Sequence, residues 1–252
     1  MINDTVNIES NSSFESKDLH NALHEYFGFA NFKPLQEEID YIIRHFNRYT
    51  HANIGYGDVN SVFAGLRPLA FTGKGNNTAE LPRDHVIKVM TSGLVHVTGG
   101  KWTTYRSMAE KTIDVALQSA GLQFCPSKTK TLKIHGWTDS KDESHLSVYG
   151  SDATAIRESW NADSTLAEKI HASYPYTRAE VKWFVEHEMA VTVEDVLARR
   201  LRLLFLDARA AVEAAPAVAE IIASCHAQSS DWVKEQVAAF EEMGKGFRGV
   251  NS

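Results

Sequence analysis

The chain has 252 residues, 43% of them hydrophobic and 23% charged, a composition typical of one or two globular domains. Its formal net charge of −6 argues against a nucleic-acid-binding protein, and its two cysteines, Cys125 and Cys225, argue against a disulfide framework or a cysteine-based metal site. No secretory signal and no apolar run of about 20 residues, the length of a membrane span, is recognisable, so we expect a cytoplasmic protein.

Residues 1–36 form a first segment that we leave unassigned. Positions 1–17 are dominated by Asn, Ser, Asp and Glu, which is typical of a loose polar tail. Residues 19–36 follow with a short aromatic helix pattern that weakly resembles the opening of RecQ-type helicases, where such residues contact the adenine of ATP. No phosphate loop of the form G-x-x-x-x-G-K-[ST] follows, so a helicase function is not carried over, and chance or an accidental fusion of coding sequence explains the segment better than a working nucleotide site.

Residues 37–122 are predicted to mix helices and strands. Apolar residues at Ile39, Ile42, Ile43 and Phe46 predict a helix over 37–49 with one apolar stripe. The Gly- and Asn-rich stretch 71–81 is typical of an exposed loop. Beyond it, 86–90 and 94–98 are expected to pair as a hairpin across 91–93.

A helix is predicted over 104–119, with Gly121 as its stop. Five small or apolar residues at helical spacing are expected to form its buried face: Ala109, Ile113, Ala116, Leu117 and Ala120. This helix ends the first predicted domain.

The segment Gly99–Arg106 links the predicted hairpin to that helix. Gly99 and Gly100 let the backbone come close to a ligand, and the helix that follows points free N–H groups and a positive dipole end at the turn. Lys101 adds a mobile positive charge and Trp102 a flat apolar face. The turn is therefore a candidate site for a phosphate or for the electron-accepting end of a redox ring, although a plain tight turn would show the same pattern.

Residues 123–252 are predicted to form a helical domain after a polar linker, 124–144, that includes a short strand at 131–134. Thr177 and Glu180 have the spacing of a capping box, which opens a helix. Its inward residues are expected to be Val181, Phe184, Val185 and Met189.

Three further helix starts are predicted in this domain. Thr192 with Asp195 opens a helix that runs to about Val212, Pro216 lies in the first turn of the next, and Ser230 caps the last. The resulting fold class is α+β: a remnant of a mixed-sheet domain, then a bundle of about five helices.

Two groups of charged or titratable residues have structural explanations. The basic run Arg199, Arg200 and Arg202 is best explained by salt bridges with neighbouring acidic residues such as Glu194 and Asp195. Histidines on the hairpin are more typical of structural residues than of proton acceptors, and no His-Glu-x-x-His pattern predicts a metal site.

Several separate blocks resemble FAD-dependent glycerol-3-phosphate dehydrogenases, in that family's order. The blocks are Phe63–Leu69, Gly93–Val95, Thr98–Glu110, His171–Ala190 and Thr192–Arg209. The string Gly-Gly-Lys-Trp-Thr-Thr-Tyr-Arg at Gly99–Arg106 is the most specific of them. The resemblance runs from about residue 37 to residue 240.

This resemblance implies oxidation of sn-glycerol 3-phosphate to dihydroxyacetone phosphate, with FAD accepting the hydride and passing electrons to membrane quinone. It implies that Arg67 binds the substrate phosphate and that Lys101 lies between substrate and flavin. It also implies six residues in contact with the flavin ring: Gly99, Gly100, Lys101, Trp102, Thr103 and Thr104.

The family begins with a dinucleotide-binding β-α-β unit that grips the FAD pyrophosphate, and no such unit is recognisable here. The chain therefore resembles the C-terminal portion only, and we expect no activity from it alone. Binding of FAD would require a separate chain that carries the FAD-binding half. We expect the protein to make at most peripheral contact with a membrane. A non-catalytic helical interaction module, or an inactive remnant, is the alternative.

Overall fold

The computed structural model describes residues 35–65 and 84–248. The chain divides into two compact units, residues 1–60 with 248–252, and residues 61–247. The predicted α+β class is confirmed, because the described residues hold several helices and one two-stranded antiparallel sheet. The domain boundaries proposed above at residues 36 and 122 stay predictions.

The described part of the first unit is built on helix α1, Leu35–Tyr49. The loop after it folds back, since the Asn47 side chain donates to the Ile54 carbonyl (2.8 Å) and accepts from its N–H (3.0 Å). Of the predicted apolar stripe, Ile39 is buried but Ile42 is exposed. The polar tail and the stretch that resembles a helicase, up to residue 34, lie outside the described residues.

The second unit begins with the predicted hairpin. Strands β1, His85–Val89, and β2, Val95–Gly99, pair antiparallel with His85 opposite Gly99 and Val89 opposite Val95. Helix α2, Tyr105–Ser119, packs on this hairpin. It ends as predicted at Gly121, whose φ of 65° is left-handed and suits glycine. The predicted loop at 71–81 lies outside the described residues.

The prediction for the buried face of α2 was wrong. Ala109, Ile113 and Ala120 are exposed, and Leu117 is half-buried. The hairpin is covered by a neighbouring face of the helix that includes Met108. The most apolar stripe of the helix therefore faces away from the sheet.

The predicted strand at 131–134 was also wrong. Residues 123–144 form turns and coil, and Leu132 and Ile134 are exposed. A single strand is stable only when a neighbouring strand satisfies its N–H and C=O groups, and none of the described residues pairs with this segment.

The rest of the second unit is helical. Its elements are α3 (Ala153–Ala162), α4 (Arg178–His187), a π-helix (Asp195–Arg200), α5 (Leu203–Leu206), α6 (Ala208–His226) and α7 (Ser230–Lys245). Helix α6 lies at the centre, against α4, α5 and α7. Seven of its buried residues are alanines, which let the neighbouring helices approach closely: Ala208, Ala210, Ala211, Ala214, Ala215, Ala219 and Ala223.

The predicted helix from Thr192 to about Val212 is broken in two places. Arg202 has a left-handed φ of 57°, and Asp207 starts α6 by accepting a hydrogen bond from the Ala210 N–H at 2.9 Å. Pro216 consequently lies inside α6 rather than in a first turn. Ser229, one residue before the prediction, caps α7.

The capping box at Thr177 is confirmed, and Val181, Phe184 and Val185 are buried as predicted. The prediction that Met189 is buried was wrong, because the helix ends before this residue. Met189 has a left-handed φ of 59° and is exposed, and Ala190 is buried instead.

Two of the three arginines of the basic run form ion pairs, as expected, whereas Arg202 lies over the Phe205 ring, 5.5 Å from its centroid. Arg199 pairs with Glu194 and Asp195, and Arg200 with Glu188. Across 35–65 and 84–248, no helix is both long and apolar enough to cross a bilayer.

Candidate functional site

The Gly99–Arg106 turn connects β2 to α2 through two glycines in the left-handed region. Gly99 has a φ of 76° and Gly100 a φ of 89°, values that other residues adopt only with strain. Lys101 is extended and precedes a single 3₁₀ turn, Trp102–Thr104. Both the N–H and the hydroxyl of Thr104 donate to the Lys101 carbonyl at 3.0 Å.

Gly100 is packed tightly between the hairpin and α2. A Cβ at this position would lie 2.5 Å from Cε of Met108, 2.6 Å from its Sδ and 3.2 Å from Cβ of His85. Glycine suits this position for its backbone angle, and a Cβ would in addition require the flexible end of the Met108 side chain to move.

We expect Gly100→Ala to loosen the contact between the hairpin and α2 by about 1–3 kcal/mol, because the new methyl group adds a clash to the backbone strain. Gly93→Ala is the matched control: its φ of 84° gives similar strain, but no atom lies within 4 Å of the added Cβ. Hydrogen exchange of the amides in β2 and α2 measures the difference. Equal acceleration in both variants would show that crowding at residue 100 is unimportant.

Lys101 and Trp102 extend from the turn into solvent. No carboxylate among the described residues pairs with Lys101, and Trp102 is 86% exposed, stacked on Tyr105 at a centroid distance of 5.4 Å. The N–H groups of Trp102 and Thr103 open the helical stretch, where no earlier turn can accept from them. An anion or an electron-rich carbonyl at this surface would meet a positive side chain and free N–H donors together.

The structure therefore brings together on one turn the six residues predicted to contact a flavin ring: Gly99, Gly100, Lys101, Trp102, Thr103 and Thr104. Arg67, the predicted ligand of the substrate phosphate, lies outside the described residues. The roles of these seven residues stay predictions.

The titratable neighbours of the turn are already engaged. Arg106 pairs with Glu110 at 2.6 Å and donates to Thr129 at 3.2 Å. Nδ1 of His85 lies 2.8 Å from Asp84, whose pKa is lowered by hydrogen bonds from the backbone and side chain of His85. Lys101 is thus the cation of the turn that is free to meet a ligand, within the described residues.

The sequence reasoning missed a buried polar cluster around Glu180. This carboxylate is 1% exposed and accepts from the Thr177 N–H (2.7 Å), the Thr177 hydroxyl (3.0 Å) and the Tyr149 hydroxyl (2.8 Å). Nε2 of His145 lies 3.1 Å away. Burial, followed by the nearby charge of Glu180, raises the pKa of Tyr149.

The capping-box spacing identified Glu180 and Thr177 from sequence, but no sequence signal connects them to His145 and Tyr149. The cluster ties the 3₁₀ segment His145–Asp152 to α4. All four groups satisfy one another, so we assign the cluster a structural role.

One glycine-rich string has the G-x-G-x-x-G spacing, Gly244–Gly249, but not its structural setting. No strand precedes it; it lies at the end of α7, and Gly249 falls outside the described residues. A Cβ at Gly244 would lie 2.5 Å from Cγ2 of Val212. Gly244 thus serves the close packing of α6 and α7 and not a dinucleotide.

A groove of about 420 Å³ lies beside α4 and α6. Its charged lining is mixed, with two basic and three acidic side chains: Arg178, Lys182, Asp163, Glu186 and Glu220. Because neither sign of charge prevails, we assign it no ligand.

Comparison with known proteins places the turn and most of the bundle in one family domain. The family model described as the C-terminal domain of alpha-glycerophosphate oxidase matches residues 92–233. A mitochondrial glycerol-3-phosphate dehydrogenase of Mus musculus is 33% identical over 212 residues, which cover 75% of this chain and 29% of the relative.

Two further relatives extend the match. A mitochondrial glycerol-3-phosphate dehydrogenase of Arabidopsis thaliana is 31% identical over 248 residues, 86% of this chain and 39% of the relative. A probable mitochondrial glycerol-3-phosphate dehydrogenase of Caenorhabditis elegans is 31% identical over 239 residues, 85% of this chain and 32% of the relative. The chain thus spans less than two-fifths of each of these three relatives.

Proposed function

The chain belongs to the family described as the C-terminal domain of alpha-glycerophosphate oxidase, and from this premise we propose that it supplies the C-terminal part of an FAD-dependent glycerol-3-phosphate dehydrogenase. The reaction is the oxidation of sn-glycerol 3-phosphate to dihydroxyacetone phosphate. Bound FAD would accept the hydride from the carbon of the secondary alcohol, the hydroxyl proton would be released to solvent, and the reduced flavin would hand two electrons to quinone. The observation that carries the proposal is the Gly99–Arg106 turn, which lies within the matched residues.

The residues of the turn fit the carbonyl edge of a flavin ring. Gly99 carries no side chain that would keep the ring from the backbone, and Trp102 and Thr103 present N–H groups at the start of a helical stretch. Lys101 adds a full positive charge that is not neutralised by any described carboxylate. Preorganised donors and charge of this kind stabilise negative charge that develops when a hydride arrives.

Arg67 and Lys101 divide the substrate contacts in this proposal. A guanidinium binds a phosphate with two parallel hydrogen bonds, which makes Arg67 the residue for the substrate phosphate. Lys101 would contact both the substrate and the ring. Both residues stabilise anions without taking part in covalent chemistry.

FAD needs more contacts than one turn provides, because the pyrophosphate is normally held by a β-α-β unit. We therefore propose that an FAD-binding polypeptide outside this sequence completes the site. Since the electrons pass to quinone, the assembled enzyme would work on the cytoplasmic side of a membrane as a peripheral protein; the relatives are named as mitochondrial. No nucleic-acid partner is proposed.

The visible spectrum tests the proposed function. The purified chain is mixed with FAD, first alone and then with the FAD-binding part of the Arabidopsis relative, and glycerol 3-phosphate is added. We expect no bound flavin with the chain alone, and a flavin band that glycerol 3-phosphate bleaches once both parts are present. A complex that holds FAD but is never bleached by glycerol 3-phosphate contradicts the proposal.

A non-catalytic helical module is the second candidate, and one observation favours it. The helices of the second unit bury an apolar core of their own, centred on α6, that includes Leu197, Leu204, Ile222 and Phe240. A domain with its own core can persist without the flavin chemistry. Under this alternative the mixture stays unreactive to glycerol 3-phosphate although the bundle is fully folded.

A further inference from the structure

One side of α2 and the turn before it carries a continuous apolar stripe. Its six residues follow one another at steps of three or four, so they lie along one side of the helix: Trp102, Tyr105, Ala109, Ile113, Ala116 and Ala120. We call them the α2 stripe. Trp102 is 86% and Ile113 58% exposed, and only Ala116 is half-buried.

The α2 stripe is not needed to hold α2 on the hairpin. That contact uses the neighbouring face, where Met108 lies against Gly100 and the start of β1. The helix thus has one apolar face in use and a second one open to solvent. A contiguous exposed apolar surface is a feature of sites that another protein covers.

The α2 stripe starts at the proposed flavin site, since Trp102 belongs to both. A protein that presents a flavin ring to Lys101 and the N–H groups of the turn must approach from the side on which these groups are open. Trp102 and Tyr105 are stacked there as a pair. Aromatic pairs of this size are the usual anchors of a protein interface.

We propose that the α2 stripe is the docking surface for the FAD-binding polypeptide that lies outside this sequence. The inference rests on the proposed function, and it names the surface by which that partner is recognised. Each of the three relatives carries more than three-fifths of its length outside the match.

Binding in trans tests this docking surface. The portions of the three relatives that lie outside the match are produced separately, loaded with FAD, and titrated against the immobilised full chain. We expect at least one of these portions to bind the wild-type chain. We expect the Ile113→Glu variant to bind the same portion at least tenfold more weakly, because the glutamate would have to be buried at the interface.

Two control variants sharpen the result. Leu206→Glu changes an equally exposed aliphatic residue that lies on α5, outside the stripe, and is expected to bind like wild type. Lys234→Met changes an exposed lysine on α7, away from the stripe and from the turn, and should also dock normally. Circular dichroism confirms that all variants keep their helix content.

The outcomes separate docking from function. Stripe-dependent binding without bleaching by glycerol 3-phosphate supports the docking surface and contradicts the proposed function. If Ile113→Glu binds the partner with wild-type affinity and glycerol 3-phosphate bleaches the flavin of that complex, the proposed function is supported and the docking surface is contradicted. If none of the three portions binds, or if Ile113→Glu instead dissolves a dimer of this chain, the docking proposal is overturned, in the second case in favour of self-association.

Discussion

Replacing Glu180 with alanine is expected to lower the free energy of unfolding by about 3–5 kcal/mol, the largest stability effect anticipated for a single side chain here. The carboxylate is almost fully buried and accepts from Thr177 and Tyr149, with His145 beside it. Its removal leaves buried donors without an acceptor, which adds their desolvation to the lost hydrogen bonds.

Urea denaturation of the full chain, followed by the far-ultraviolet signal of the helices, measures this effect. Glu180→Gln keeps one acceptor oxygen and should lose less. Glu186→Ala, on the same helix, removes an exposed glutamate whose partner Lys182 is 3.7 Å away, and should stay within about 0.5 kcal/mol of wild type. If Glu180→Ala resembles Glu186→Ala, the cluster does not hold the 3₁₀ segment to α4.

Glu180 also shows how far local sequence reasoning reaches. The capping box could be predicted because its two residues are three positions apart and contact each other within one turn. The hairpin, α2 and the stop at Gly121 could be predicted for the same reason, since period, turn residues and caps are local signals. The contacts to Tyr149 and His145 could not, because they depend on how the 3₁₀ segment packs.

Two of the wrong predictions share a different cause. The apolar pattern of α2 correctly marks a face that favours burial, but the described residues offer nothing to cover Ile113. The strand at 131–134 likewise has the pattern of a strand without a partner among the described residues. Both errors follow from assuming that every apolar stripe is buried within the same chain, and both lie in residues that the family model matches.

The break near Arg202 has a separate origin. A helical period runs through residues 193–212, and only the cap at Asp207 and the left-handed Arg202 divide it. Neither Arg nor Asp is as strong a breaker as glycine or proline. Pro216, which is such a breaker, instead lies inside α6, where the packing of α6 against α4 and α7 outweighs one lost hydrogen bond.

In the assembled enzyme, Lys101→Met is expected to slow reduction of the flavin by glycerol 3-phosphate about 10²-fold at saturating substrate. The variant removes the one positive charge of the turn that no described carboxylate neutralises. The free N–H groups of Trp102 and Thr103 remain, so part of the stabilisation should survive. Stopped-flow absorbance of the flavin band measures the rate, and Lys101→Arg, which keeps the charge, should lose less.

Arg67→Met distinguishes the two proposed substrate contacts. Loss of a residue that binds the phosphate equally in the ground and transition states raises KM, whereas loss of a residue that stabilises charge formed during the reaction lowers the rate at saturating substrate. We therefore expect Arg67→Met to raise KM chiefly and Lys101→Met to lower kcat chiefly. Equal effects on KM from both variants would place Lys101 at the phosphate, and an unchanged rate would remove it from the site.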